Sequence, residues 1–198
     1  QRLPAIAAYD NERCTQVLDK LTKTVQVPTL RLNAMNKFPP FERADWPEAL
    51  SRIPNGIRER WQTSSASLAK QGPGNTVFAE WSLFLTGKMN QQAVPIGAGT
   101  DTPIRLSVPG YSLHSELDML VRAGLTPLQA IGAATIEPAR YFSIESTMGQ
   151  IAPGMVADLV LLEKDPIEDI NNTKSISRVI SKGALMTPQQ ILGSGASE

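Results

Sequence analysis

Val94-Pro-Ile-Gly-Ala-Gly-Thr-Asp101 is a short apolar run that ends in small residues and a carboxylate. Such a run, closed by glycines, reads as a buried strand, and small residues at its end let a ligand come close to the backbone. In α/β barrels the C-terminal ends of the strands are where functional groups are displayed. Asp101 stands at that point, where a carboxylate can ligate a divalent metal and take a proton from water. An aspartate there can equally cap the following turn, and the local sequence supports both readings. Thr102 follows as a candidate substrate or supporting residue.

Downstream, Pro103, Pro109 and Gly110 mark a turn region. Ser112 to Ala123 then has the pattern of a helix with Ser112 as N-cap and Ser115-Glu116 in its first turn. Gly124 is placed to end it, and Thr126-Pro127 to start another helix running to about Thr135. His114 is the only histidine in the chain. It can reach a site from the side but cannot build one, because a catalytic zinc takes about three protein ligands; a hydrogen-bonded structural role is its alternative. Glu116 and Asp118, two apart on this helix, face different sides and are expected to point to solvent rather than act as a pair. From Gly149 the pattern turns to short β-runs separated by Pro153-Gly154 and Asp165-Pro166, with Ile176 to Gly183 as a last strand and turn. A boundary is expected near Ser146, dividing residues 1–145 from 146–186, with 187–198 as a frayed tail.

Upstream, Asp10 caps an expected helix to Thr24 whose stripe is Cys14, Val17, Leu18 and Leu21. Val25 to Leu32 alternates as a strand, with Pro28 at an edge or end. Prolines 39, 40, 47 and 54 make residues 36–60 an irregular excursion or short helices. Ile57 to Lys70 reads as a helix ended by Gly72-Pro73-Gly74, and Thr76 to Lys88 as one that closes at Gly87. Trp46, Trp61 and Trp81 with Phe38, Phe41, Phe78 and Phe84 suit core packing, with a pocket wall as the alternative.

Composition narrows the classes of function. Lys+Arg and Asp+Glu balance at 19 each, so no net field draws a nucleic acid or an anionic membrane. The longest apolar runs, such as residues 157–162, are far shorter than the ~20 residues of a bilayer span. The single Cys14 offers no internal disulfide and reads as a partly buried thiol. GxxxxGK[ST], GxSxG, CxxC and HExxH do not occur, and Gly97-Ala-Gly99 is too short for a dinucleotide fingerprint. No targeting signal can be read at the opening Gln1-Arg2-Leu3-Pro4, and the expectation is a start inside a larger protein.

Taken together, Gly97-Ala-Gly-Thr-Asp101, Ser112-Leu-His-Ser-Glu-Leu117, Ala123-Gly-Leu-Thr-Pro127, Ala133-Ala-Thr135 with Pro138-Ala139, and Gly149-Gln-Ile-Ala-Pro-Gly-Met-Val-Ala-Asp-Leu-Val160 resemble the C-terminal part of the amidohydrolase superfamily, in its imidazolonepropionase-like and Xaa-Pro dipeptidase-like branch. Asp165-Pro-Ile-Glu-Asp-Ile170 looks like the family's closing segment, and Val27-Pro-Thr-Leu30 like a late barrel strand. The resemblance implies an α/β fold: the C-terminal part of a (β/α)8 barrel followed by strands of a small β-sandwich, around Ile151 to Leu162 and Ser177 to Gly183. It implies hydrolysis of amide or other C–N bonds in a small amide or peptide-like substrate, with one or two divalent metals, commonly zinc. Asp101 becomes the last metal ligand and general base, and His114 a pocket or supporting residue.

The family's ligand set also includes a His-x-His pair, often a mid-barrel lysine or glutamate, and two later histidines, and none of those histidines has a counterpart here. A complete barrel takes about 250 residues. With Asp101 alone of the ligand set, the isolated chain is expected to bind metal weakly or not at all and to be inactive. Exposed strand edges would favour the missing N-terminal half of a barrel, or self-association. The competing reading is a non-catalytic binding or assembly module that has lost the metal site.

Overall fold

Two extended segments lie side by side where the sequence placed two strands. The Gln26 N–H donates to the Pro95 carbonyl at 2.9 Å and the Gly97 N–H to the Gln26 carbonyl at 2.9 Å, forming a parallel bridge between Gln26 and Ile96. The pairing stays this short because Pro28 and Pro95 bring no N–H to a ladder. Val94 and Ile96 are buried, as the apolar run required. A Cβ at Gly99 would collide with the Val27 side chain, so glycine there is what lets the segments approach.

The computed structural model describes residues 2–72 and 74–193, in two units, Gln1–Leu125 and Thr126–Glu198. The first is helical around the bridge: α1 (Arg2–Ala7), α2 (Asn11–Leu21), α3 (Leu30–Asn33), α4 (Trp46–Ser51), α5 (Asn55–Gln71), α6 (Val77–Gln91) and α7 (Tyr111–Arg122). Asp10 caps α2 by accepting the Arg13 N–H at 2.6 Å, as expected. Trp46, Leu50, Ile53, Leu106 and Val108 form a buried cluster against which Trp61 and Tyr111 pack. Trp81 and Phe84 meet Tyr9 edge-on at 5.2 and 5.3 Å. Trp46 thus packs as core, whereas Phe38 and Trp81 line hollows and Phe84 is exposed, so both expected uses of the aromatics occur.

Four local expectations give way. The strand expected over Val25–Leu32 stops at Thr29, whose φ of 46° is left-handed, and the chain turns into α3. Gly87 does not close α6: it is buried inside the helix, because the Ala123 carbonyl passes where a Cβ would stand. The N-cap of α7 is Gly110 rather than Ser112, which is buried in the first turn. Glu116 and Asp118 are buried rather than solvent-facing, since α7 turns that face onto α3 and Arg43.

The second unit opens with α8 (Pro127–Ala133), launched by the expected Thr126-Pro127 pair in a capping box with Gln129, and α9 (Ile136–Tyr141). A three-stranded antiparallel sheet follows in the order β1 (Leu159–Leu162), β2 (Ile176–Ser181), β3 (Ala184–Met186), with Leu159 opposite Ile180 and Val179 opposite Met186. Lys182 and Gly183, both at positive φ, form the two-residue turn that such a hairpin favours. The segment Pro188–Gly193 is a short helix, and the remainder of the expected tail lies outside the described residues. Among the described residues no helix is long and apolar enough to cross a membrane.

Candidate functional site

Asp101 follows the bridged segment by four residues beyond Gly97 and is exposed, with a left-handed φ of 48°. Its own carbonyl accepts the Ile104 N–H at 2.7 Å, closing a turn. Arg105 and Leu106 also have positive φ, at 45° and 59°. Three non-glycine residues in this conformation within six positions is a strained arrangement, which persists only where surrounding contacts over-determine it.

Leu106 is anchored in the Trp46 cluster, and the backbone on either side of Asp101 is held by Arg31. The side chain is buried at 6% exposure, and its guanidinium donates through Nε to the Thr100 carbonyl at 2.7 Å, through Nη1 to Arg105 at 3.0 Å and through Nη2 to Ile104 at 2.6 Å. The planar fork of arginine suits three fixed carbonyls in a way that a lysine ammonium does not. Burial lowers the guanidinium from its ordinary value, while the negative charges of Glu116 and Asp101 act in the opposite direction.

Glu116 holds Arg31 from the backbone side. Reaching across from α7, its carboxylate accepts the Leu30 N–H at 2.9 Å and the Arg31 N–H at 2.6 Å, which are the first two orphan donors of α3. It has no exposed surface. Burial raises this carboxyl from 4.5 to about 7, against the two backbone N–H groups and Arg31, while Asp101 adds to the rise.

Thr102 is beside Asp101, its hydroxyl sharing hydrogen bonds with Thr100 at 2.8 Å and Ser107 at 2.5 Å. His114 sits half-buried at the end of the first turn of α7. A cavity of about 150 Å³ is lined by Arg31, Phe38, Arg43, Ser115, Asp118 and Arg122. Asp118 accepts from Arg43 at 3.1 Å and from Arg122 at 3.2 Å, so its buried charge is matched. Burial and the hydrogen bond it gives Asp45 at 2.6 Å push the Tyr111 phenol above its ordinary value.

A resident metal does not fit these residues by themselves. A catalytic zinc takes about three protein ligands, and the described residues contain no group of three or more His, Cys, Asp or Glu able to hold an ion. Asp101 supplies one oxygen-bearing side chain and nothing described closes a coordination sphere around it. The sequence reading missed Arg31 and Glu116. Their only local signal was a charged residue amid the apolar Leu30-Arg-Leu32 and an acid in the middle of an otherwise apolar helical face.

A family model described as "Amidohydrolase family" matches residues 86–186, half of the chain. An ochratoxinase of Aspergillus niger is 37% identical over 97 residues, covering 46% of this chain and 19% of that protein. An adenine deaminase of Clostridium botulinum is 31% identical over 152 residues, covering 71% of this chain and 24% of that protein. The chain thus spans about a fifth to a quarter of the length of these curated relatives. Among solved structures, a Xaa-Pro dipeptidase with bound methionine in the active site superposes with a TM-score of 0.58 at 24% identity, over 83% of this chain and 34% of that one.

Proposed function

This chain belongs to the amidohydrolase family, and from that premise we propose that it is part of a hydrolase that breaks amide or other C–N bonds with water. Relatives named as a deaminase and as a dipeptidase fit that class of reaction. One observation carries the reading at the level of this chain: an exposed carboxylate, Asp101, displayed just past a parallel-bridged segment on a loop held by a buried arginine.

In this reading Asp101 is the donor through which the chain would contribute to a divalent metal site, zinc being the family's common metal, and the general base of the reaction. Thr102 and His114 are supporting or substrate-side residues. The remaining donors come from outside these residues, so the isolated chain is inactive and binds metal weakly. Its partner is the rest of a barrel, or further copies of itself. Its substrate is a small amide or peptide-like molecule.

Metal content by mass spectrometry, measured with hydrolysis of N-acyl amino acids and dipeptides, tests this. We expect substoichiometric metal and no turnover for the chain alone, and turnover when a co-expressed N-terminal segment carrying the family's histidines is supplied. Replacing Asp101 (Asp101→Asn) should lower that restored kcat by at least about 100-fold. Stoichiometric, tightly held zinc in the isolated monomer would overturn the ligand count. A reconstituted complex that binds substrate without turning it over would favour the non-catalytic alternative.

A further inference from the structure

We propose that Arg31 and Glu116 are a positioning pair that fixes the place and direction in which Asp101 is displayed, an inference that rests on Asp101 being the functional carboxylate. The loop from Asp101 to Leu106 has constraints of its own in the Ile104–Asp101 turn, the Thr102 hydroxyl and the buried Leu106, yet nothing among these fixes the carbonyls on both sides of Asp101. Asp101, Arg105 and Leu106 all stand at positive φ without being glycine, and the Asp101 and Thr102 side chains are exposed. The clamp on this loop comes from another element: three guanidinium donors of Arg31 take the carbonyls of Thr100, on one side of Asp101, and of Ile104 and Arg105, on the other. Fixing both flanks leaves the intervening residue little freedom. A single point charge could not do this, because the three carbonyls need three directed donors in one plane.

The clamp is useful only if Arg31 is itself held. It lies on a four-residue helix too short to be stable by itself, entered through the left-handed Thr29. Glu116 supplies the missing constraint by accepting the first two N–H groups of α3 from the packed middle of α7. The buried Leu30 and Leu120 hold the two helices in the core. The path therefore runs from α7 through Glu116 to the α3 backbone, through the Arg31 side chain to the loop, and so to Asp101. Neither residue touches a reacting group in this scheme; both act through the loop.

Nuclear magnetic resonance of the 198-residue chain, above neutral pH, tests the pair without needing turnover. In Arg31→Gln the Ile104 amide should exchange at least about 10-fold faster and the couplings that report left-handed backbone at Asp101, Arg105 and Leu106 should be lost, while the core amides of Leu120 and Leu125 keep their protection. Arg31→Lys, which keeps the charge but not the fork, should give an intermediate loss. If Arg31→Gln fails to fold, Glu116→Gln serves instead, since it keeps one acceptor oxygen: its effect should start at the Leu30 and Arg31 amides and extend to Ile104. A folded Arg31→Gln whose loop couplings and Ile104 exchange match the parent would overturn the inference, as would a Glu116→Gln effect that stops at Arg31. The Asp101 reading is judged separately: full turnover by a reconstituted Asp101→Asn protein would sink that reading while the loop measurements stood.

Discussion

Glu116 is a carboxyl whose burial outweighs its hydrogen bonds. Its folded value of about 7 lies above the ordinary 4.5, so between those two values the folded state holds a proton that the unfolded state has released. Stability linked to this group is therefore fully present below the lower value, declines as pH rises through the interval, and is flat above about 7. A tenfold difference in proton affinity between the two states corresponds to about 1.4 kcal/mol, so the loss is on the order of a few kcal/mol. Urea midpoints of the chain should fall between mildly acid and neutral pH. Because Glu116→Gln has nothing to titrate, its midpoints should vary less over the same range; parallel profiles for the two proteins would show that the carboxyl is not displaced as described.

At the scale of elements, the contact of α6 with the end of α7 depends on Gly87. The Ala123 carbonyl occupies the space a Cβ would need, so Gly87→Ala must push two helices apart or bend one. Overpacking of this kind costs about 1–3 kcal/mol, which outweighs the helix propensity that alanine would add. A lowered urea midpoint with unchanged helical circular dichroism is the expected result; a stabilised variant would mean that the helices yield freely. The same glycine shows why the sequence was only partly legible. Side-chain caps can announce themselves locally, as Asp10 and the Thr126-Pro127 pair did and Ser112 falsely did, because the residue that accepts the N–H is three positions away from it. A glycine inside a helix looks like a stop signal until the carbonyl 36 positions later is brought beside it. The site divides in the same way. The place of Asp101, just past a buried segment ending in small residues, could be read from its neighbours, and its role is a proposal; Glu116, 86 positions from the N–H of Leu30, carried an alternation that suited a solvated face. The strand at Val25 was over-extended because β-branched alternation gives no sign that Thr29 turns left-handed.

For the molecule as a whole, the question is what covers the open side of the first unit. A hollow of about 590 Å³ is lined by Tyr9, Cys14, Leu18, Val27, Trp81 and Met89. Around it Val17 is 51% exposed, Val27 55% and Phe84 41%. Val27 belongs to the segment whose described pairing is a single bridge to Ile96, so backbone groups beside it are available to another strand. Apolar side chains around an unpaired strand edge favour association, because each ~100 Å² of apolar surface removed from water contributes about 2.5 kcal/mol. The chain alone should therefore show concentration-dependent sedimentation. Val27→Lys places a charge on that edge and should shift the protein toward monomer, with the helical circular dichroism of the variant checking that the contact of Val27 with Gly97 and Gly99 is not what was lost. An N-terminal segment that restores turnover should do the same to the unsubstituted chain by occupying the edge. Sedimentation as a monomer at every concentration, unchanged by Val27→Lys, would mean that the first unit closes over this surface by itself, and the need for a covering partner would fall with it.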